Sequence, residues 1–195
     1  MSYEEKVNAN NRGREVTWYR DRLQAAQQAQ QGNLKSLVTP GDMPWDNCEQ
    51  GILKHLVHAE MATVENTLDL VIQLIPAGSR SGKHRHMGEE YMFILEGAGY
   101  SLHWDVEMEL GDKYTWRVPD SPSRWEWEKG DSVYIPPNTI HQHFNDDSEN
   151  PLRFISAESR IIRFMGLDDL EQLENAPEFG DKDWAAYLED LGSDG

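Results

Sequence analysis

The sequence has one cysteine, few positive charges and no long apolar run. Cys48 is the only cysteine in 195 residues, so neither an intrachain disulfide nor a metal site built on several thiolates can form. Any metal must therefore be bound through nitrogen and oxygen. The chain has no apolar run of about 18 residues and no N-terminal apolar segment of signal-peptide length, and we expect a cytoplasmic location.

Basic residues number 18 against 35 acidic ones, which gives a formal net charge of -17. Such a surface repels phosphate backbones and anionic lipids, so we expect neither nucleic acid nor membrane as a partner. Much of the excess lies in residues 168–195, where Lys182 is the only base. We interpret this segment as a solvated acidic tail.

The order of sequence patterns predicts three regions. Residues 15–31 are mostly good helix formers followed by Gly32, which predicts an N-terminal helix with one apolar stripe: Val16, Tyr19, Leu23 and Ala26. Eight short apolar segments separated by turns then predict an all-β sandwich or barrel: "GILKHLVHAEM", "TLDLVIQLIP", "EYMFILEG", "GYSLHW", "WEWEKG", "DSVYIPP", "HQHF" and "LRFISAES". Helical patterns return at "GLDDLEQLENAPEF" and "DWAAYLEDLG". The predicted regions are a helical extension (1–44), a β-domain (45–163) and an acidic helical tail (164–195).

Two His-x-His pairs are the strongest functional pattern. They are His84 with His86 and His141 with His143. Residues two apart on a strand point to the same face, so each pair can converge on one point. Glu89 or Glu90 lies within a tight turn of the first pair. Imidazoles with one carboxylate suit Fe(II), Mn(II), Ni(II), Zn(II) or Co(II).

The spacing of these residues resembles the two motifs of the cupin superfamily. The first motif (Gly, five residues, His-x-His, three or four residues, Glu, six residues, Gly) is matched by Gly78, His84, His86, Glu90 and Gly97. The second motif (Gly, five residues, Pro-x-Gly, two residues, His, three residues, Asn) is matched by Gly130, Pro136, Asn138, His141 and Asn145. Asn138 replaces the family's glycine, a mild departure because Asn tolerates a left-handed backbone better than most residues.

The resemblance implies a single cupin domain, a small antiparallel β-barrel (double-stranded β-helix) of jelly-roll type, with an N-terminal helix and short C-terminal helices. It also implies a divalent metal bound by His84, His86, Glu90 and His141. Fe(II) is favoured, and Mn(II), Zn(II) and Ni(II) are the alternatives. A cupin domain that binds no metal is the other interpretation.

Strand alternation predicts which of the residues around these ligands face the metal and which face away from it. Glu89 has the opposite parity to Glu90 and is expected to be an exposed turn acid, and Lys83 and Arg85 should also face away from the metal. His143 shares the parity of His141. It would be a catalytic acid or base behind the metal ligands, or else a buried structural histidine.

Other histidines and aromatic residues allow two interpretations each. For His55, His58 and His103 we expect structural roles, since a lone histidine is weak evidence for function. The segment between Gly97 and Gly130 carries four of the seven tryptophans: Trp104, Trp116, Trp125 and Trp127. They could shape a pocket for a planar substrate, or they could pack this segment onto the barrel. Tyr100, Tyr134 and Gln73 are further strand residues that could reach the pocket.

Four protein ligands on a six-coordinate metal leave two positions for a small-molecule substrate, or for substrate and dioxygen. The first hypothesis is an oxidoreductase, an Fe(II) dioxygenase of a small aromatic or dicarbonyl compound. The second is a non-redox lyase, isomerase or decarboxylase of a small oxyacid. The third is a cupin that binds a ligand without catalysis.

The resemblance also implies a homodimer, because cupins are often dimers whose N-terminal segments pack across the interface. Deletion of residues 1–40 should therefore weaken self-association. Light scattering over a dilution series would show dissociation of the truncated protein at concentrations where the full chain stays dimeric. An oligomer unaffected by the deletion would contradict this prediction.

Overall fold

The computed structural model describes residues 2, 5, 17–31, 34–64, 67–167 and 169–189. The chain divides into two compact units, Met1–Lys35 and Ser36–Gly195. The first unit contains helix α1 (Trp18–Gln31), in agreement with the predicted N-terminal helix. Val16 of the predicted stripe and Gly32 lie outside the described residues.

The described part of the second unit consists mainly of short strands. They are β1 (Trp45–Cys48), β2 (Gly51–Val57), β3 (Leu68–Ile75), β4 (Lys83–Arg85), β5 (Glu90–Glu96), β6 (Ala98–Trp104), β7 (Glu107–Leu110), β8 (Tyr114–Arg117), β9 (Ser123–Glu128), β10 (Ser132–Ile135), β11 (Ile140–Phe144), β12 (Leu152–Ser159) and β13 (Glu171–Glu174). Helices α2 (Ile161–Phe164) and α3 (Ala186–Glu189) and the 3-10 turns Pro40–Asp42 and Ala59–Met61 complete the unit. Each of the eight predicted strand segments overlaps one of these strands.

The strands form two antiparallel sheets and a separate hairpin. The six-stranded sheet has the order β1-β2-β3-β12-β5-β10, and the five-stranded sheet has the order β13-β4-β11-β6-β9. Among the described strands, β7 and β8 pair only with each other. This arrangement is a jelly-roll sandwich, which confirms the predicted all-β fold class.

The interior of the sandwich has an apolar half and a polar half. On β12, Leu152 and Phe154 belong to the apolar cluster, whereas Ser156, two residues further along the same face, borders a polar cavity. On β5, Met92 belongs to the cluster and Glu90 borders the cavity. The cluster consists of Ile75, Met92, Ile94, Trp127, Ile135, Leu152 and Phe154. The apolar half supplies the hydrophobic stabilisation, and the polar half contains most of the histidines.

The segment after α2 is not wholly the helical tail that the sequence predicts, although most of its described residues are exposed. The helix predicted over "GLDDLEQLENAPEF" is wrong, because this stretch contains β13, which pairs antiparallel with β4. Arg85 donates from Nε to Glu171 at 2.7 Å, and Lys83 Nζ lies 3.7 Å from Glu174. Glu178, further along, is only 6% exposed. The acidic residues therefore dock this segment onto the two cations of β4.

Among the described residues, no helix is both long enough and apolar enough to cross a bilayer. Helix α3 lies within "DWAAYLEDLG", where the sequence predicts one. The domain boundaries predicted after residues 44 and 163 stay predictions.

Four turn residues of the motifs have a positive φ: Gly78, Gly97, Gly130 and Asn138. Asn138 has a φ of 62°, the conformation expected for the residue that replaces the family's glycine. Gly97, which joins β5 to β6, has a φ of 83°. A Cβ atom on Gly97 would lie 2.7 Å from Cβ of Leu152, so this turn has no room for a side chain.

Gly97→Ala should lower the free energy of unfolding by about 2–4 kcal/mol, because strain at positive φ adds to the overlap with Leu152. Urea denaturation would measure the change. Gly111→Ala is the matched control, since the nearest atom to its Cβ would be 3.9 Å away. Equal losses in the two variants would show that the Gly97 turn is not specially constrained.

Candidate metal centre

Pairing of three strands places three histidines side by side on one face of the five-stranded sheet. His84 on β4 is directly opposite His141 on β11, and His141 is directly opposite His103 on β6. Directly opposite residues in an antiparallel pair point to the same face. His86 comes directly after β4, and Glu90 begins β5 in the facing sheet.

The side chains of His84, His86, Glu90 and His141 converge in the polar half of the interior. Their candidate ligand atoms all lie within 4.8 Å of one another. Glu90 Oε2 is 3.2 Å from Nε2 of His86 and 3.4 Å from Nε2 of His141. All four residues are buried. The structure thus brings together the four residues that the resemblance implies, and Glu89 is exposed as strand alternation predicts.

Backbone carbonyls orient the three imidazole rings. The Nδ1 atoms approach the carbonyl oxygens of Gly88 (from His86, 2.8 Å), Thr139 (from His141, 2.9 Å) and Gly82 (from His84, 3.4 Å). An imidazole that donates from Nδ1 has its lone pair on Nε2. In His86 and His141 this Nε2 atom is the one that approaches Glu90. Each ring is therefore oriented so that Nε2 presents a lone pair to the centre of the cluster when the ring is neutral.

Two side chains on β12 hold the outer edge of the cluster. Ser156 donates its hydroxyl to Oε1 of Glu90 at 2.6 Å, which leaves Oε2 to face the histidines. Glu158 Oε1 lies 2.8 Å from Nδ1 of His86. Partners of this kind fix the orientation of metal ligands and strengthen their binding.

The protonation states follow from burial and neighbouring charges. Burial lowers the pKa of His84 well below its ordinary value, so this ring is neutral. Burial would raise the pKa of Glu90, but the neighbouring imidazoles of His141 and His86 lower it well below the ordinary value. Burial opposes the charge on His86, yet Glu158 and Glu90 raise its pKa to about 10. A metal ion entering the cluster would therefore displace a proton from His86.

One buried nitrogen supplies a direct test of whether the cluster fits a metal. Nε2 of His141 is buried and has no hydrogen-bond partner in the described structure, although Glu90 Oε2 is 3.4 Å away. A buried polar atom left without a partner costs about 1–3 kcal/mol. A divalent ion among the four ligand atoms would satisfy it, and three nitrogens with one oxygen form a suitable ligand set. The residues present therefore fit a metal.

A cavity of about 170 Å³ opens beside the cluster. It is lined by Gln50, Leu53, His55, His58, Asp69, Val71, Gln73, His84, His86, Glu90, His143, Ser156, Glu158, Arg163 and Leu170. This volume equals roughly five or six water molecules at about 30 Å³ each, so the cavity suits a small molecule. Most of its lining side chains are polar, and Arg163 supplies a cation.

Of the other residues singled out in the sequence, His143 has the closest relation to the cluster. It is fully buried and lines the cavity, and burial lowers its pKa to about 3, so its ring is neutral. His55, His58 and Gln73 also line the cavity. His103 is buried but does not line the cavity, and burial lowers its pKa to about 4. Tyr100 and Tyr134 are not among the lining residues.

None of the four tryptophans between Gly97 and Gly130 lines this cavity, so the interpretation that they shape the substrate pocket is wrong for the cavity beside the cluster. Trp127 belongs to the apolar core. Lys83 lies over the ring of Trp104, with Nζ 4.1 Å from the ring centroid. Trp116 and Trp125 are 57% and 53% exposed. For the two covered rings, Trp104 and Trp127, packing explains their positions better than a role in the substrate pocket.

Sequence reasoning misses several residues of the cavity wall, and among them are Ser156, Glu158 and Arg163. The first two follow the apolar residues of β12 at alternate positions, so the end of "LRFISAES" contains a pattern that could have identified them. Arg163 lies on the short helix α2, and no spacing in the sequence connects it with the histidines.

Comparison with known proteins agrees with this fold. The cupin domain family matches residues 71–158. An uncharacterized protein of Methanocaldococcus jannaschii is 31% identical over 101 residues, which are 51% of this chain and 66% of that protein.

Two solved structures are similar in fold at low sequence identity. CapF, solved with the inhibitor 3-isopropenyl-tropolone, has a TM-score of 0.50 and 14% identity, over 68% of this chain and 34% of that one. An oxalate decarboxylase of Lactobacillus farciminis has a TM-score of 0.49 and 15% identity, over 66% of this chain and 34% of that one. The matched region thus spans about a third of each solved chain, and the likeness concerns the fold alone.

Glu90→Gln should weaken metal binding by more than about tenfold, because it removes the negative charge at the centre of the cluster. Titration of the metal-free protein with Zn(II) or Co(II), followed by calorimetry, would measure the affinity. Glu89→Gln is the matched control and should bind metal like the unchanged protein. A similar loss in both variants would contradict the assignment of Glu90.

Proposed function

The chain belongs to the cupin superfamily, and we propose that it is an enzyme that uses one divalent metal held by His84, His86, Glu90 and His141. The observation that carries this proposal is the convergence of imidazole Nε2 atoms on one buried carboxylate at the wall of a small cavity. A cluster that served stability alone would have no need of a cavity beside it.

The metal, Fe(II) in the favoured case and Mn(II), Zn(II) or Ni(II) otherwise, would polarise a bound substrate oxygen and, if it is iron, would also support reaction with dioxygen. Other groups of the chain orient the ligands for the metal. Carbonyls fix the ring orientations, Ser156 fixes Glu90, and Glu158 holds His86. Leu53 and Val71 supply apolar wall that limits the water beside the cluster.

We propose an Fe(II) dioxygenase of a small dicarbonyl compound as the leading reaction. The small polar cavity supports a compact substrate that chelates through oxygen. The suggestion of an aromatic substrate rests on the tryptophans, and its basis is removed because none of the four lines this cavity.

A non-redox lyase, isomerase or decarboxylase of a small oxyacid is the second candidate. Arg163 favours it, because this cation lines the cavity with its Nη2 atom 3.8 Å from Asp69 and could be shared with a substrate carboxylate. Both candidates use the same cluster and differ in the need for dioxygen.

Oxygen-electrode traces would separate the candidates. Iron-loaded protein with pentane-2,4-dione and related β-dicarbonyls should consume oxygen in step with substrate loss, and zinc-loaded protein should consume none. Glu89→Gln, loaded in the same way, should retain the activity. Turnover of small oxyacids by zinc- or nickel-loaded protein without oxygen would contradict the dioxygenase and support the second candidate. Tight retention of a ligand without turnover would contradict both.

A further inference from the structure

A chain of hydrogen bonds connects the apolar core with the wall of the cavity. Trp127 in the core donates from Nε1 to Oγ of Ser101 at 2.9 Å. Oγ of Ser101 is in turn 2.8 Å from Nδ1 of His143. Ser101 on β6 is directly opposite His143 on β11, so strand pairing holds the two side chains together. Exposures of 4%, 0% and 1% exclude water from this chain.

The chemistry of the three groups favours one direction for the chain of hydrogen bonds. An indole N–H can only donate, so the hydroxyl of Ser101 must accept from Trp127. That hydroxyl has a single proton to donate, and among the described residues its recorded side-chain acceptor is Nδ1 of His143. Nδ1 then carries a lone pair, and the proton of the neutral ring is on Nε2.

We propose that His143 presents an Nε2–H donor to the cavity and thereby selects ligands that place an oxygen acceptor beside the metal. His143 lines the cavity while its Nδ1 is turned to Ser101, so Nε2 is the nitrogen left for a ligand. Phe154 packs edge-on against the ring with centroids 5.2 Å apart, which hinders its rotation. A ring that already carries a proton on Nε2 cannot act there as a base.

The distance from the cluster specifies the class of ligand. The ring centroids of His143 and His141 are 5.5 Å apart, so one small molecule can reach both the metal and Nε2 of His143. Such a ligand is a small dicarbonyl compound or dicarboxylate, with one oxygen on the metal and another accepting from His143. This ligand class rests on the proposed function, whereas the protonation of His143 does not.

Trp127 thereby influences the site without touching it. Trp125 lies two residues away on β9 with the same strand parity, yet its indole makes no hydrogen bond within the described part of the chain. The pair Trp127→Phe and Trp125→Phe therefore makes a matched comparison. Each variant keeps an aromatic ring, but only the first removes a donor to Ser101.

The first test is a long-range proton–nitrogen NMR spectrum of zinc-loaded protein with ¹⁵N-labelled histidines, in which protonated and unprotonated ring nitrogens have well separated shifts. The signals that disappear in His143→Gln identify the ring. We expect Nε2 to be protonated and Nδ1 to be unprotonated. Ser101→Ala should move both shifts towards those of exchanging tautomers. Protonation of Nδ1 in the unchanged protein would overturn the inference.

The second test is calorimetric binding of malonate to the zinc-loaded protein. Ser101→Ala and Trp127→Phe should each weaken malonate binding by about 2- to 10-fold, and Trp125→Phe should leave it unchanged. Trp127→Phe keeps the test valid if Ser101→Ala folds poorly. Unchanged affinity in Trp127→Phe and in folded Ser101→Ala would overturn ligand selection by His143. Absence of malonate binding by the unchanged protein would overturn the ligand class, and the NMR result would still decide the direction of the chain.

Discussion

The need to give every buried polar atom a partner governs the polar half of this sandwich, because each unmade hydrogen bond costs about 1–3 kcal/mol. Backbone carbonyls take the Nδ1 atoms of the three clustered histidines, and Ser156 takes one oxygen of Glu90. Among the candidate ligand atoms, Nε2 of His141 is left without a partner in the described structure. A metal ion would complete this ligand set, and the same need for partners underlies the proposed protonation of His143 through Ser101.

Strand β4 depends on charges that lie far away in the sequence. It has three residues, carries His84, and would be an edge strand of its sheet without β13. The acids of β13 and its neighbourhood pair with Lys83 and Arg85, the two residues of β4 that point away from the cluster. Part of the acidic excess of the chain therefore holds a predicted ligand strand in place. An uncovered edge would also invite pairing with another chain.

Local information in the sequence was enough for much of the fold and for the centre of the site. Alternating apolar residues marked eight strands, motif spacing selected Glu90 over Glu89, and Asn138 has the left-handed backbone that its position requires. The remaining features of the fold and the site depend on contacts between residues that are distant in the sequence. Strand β13 pairs with β4, where its acids lie beside Lys83 and Arg85, although "DDLEQLE" has the composition of a helix. Trp125 and Trp127 share strand parity, but only the latter reaches the apolar core. Arg163 lies at the cavity because of the fold, and no sequence pattern indicates that position.

The central claim is that three histidines and one glutamate hold a single metal. The most direct measurement is metal analysis of the purified protein combined with X-ray absorption at the edge of the metal found. The account predicts one transition-metal ion per chain, iron in the favoured case, with three imidazole nitrogens and a carboxylate oxygen among its ligands. A protein that binds no stoichiometric metal after loading, or a metal whose ligands include no imidazole, would contradict it.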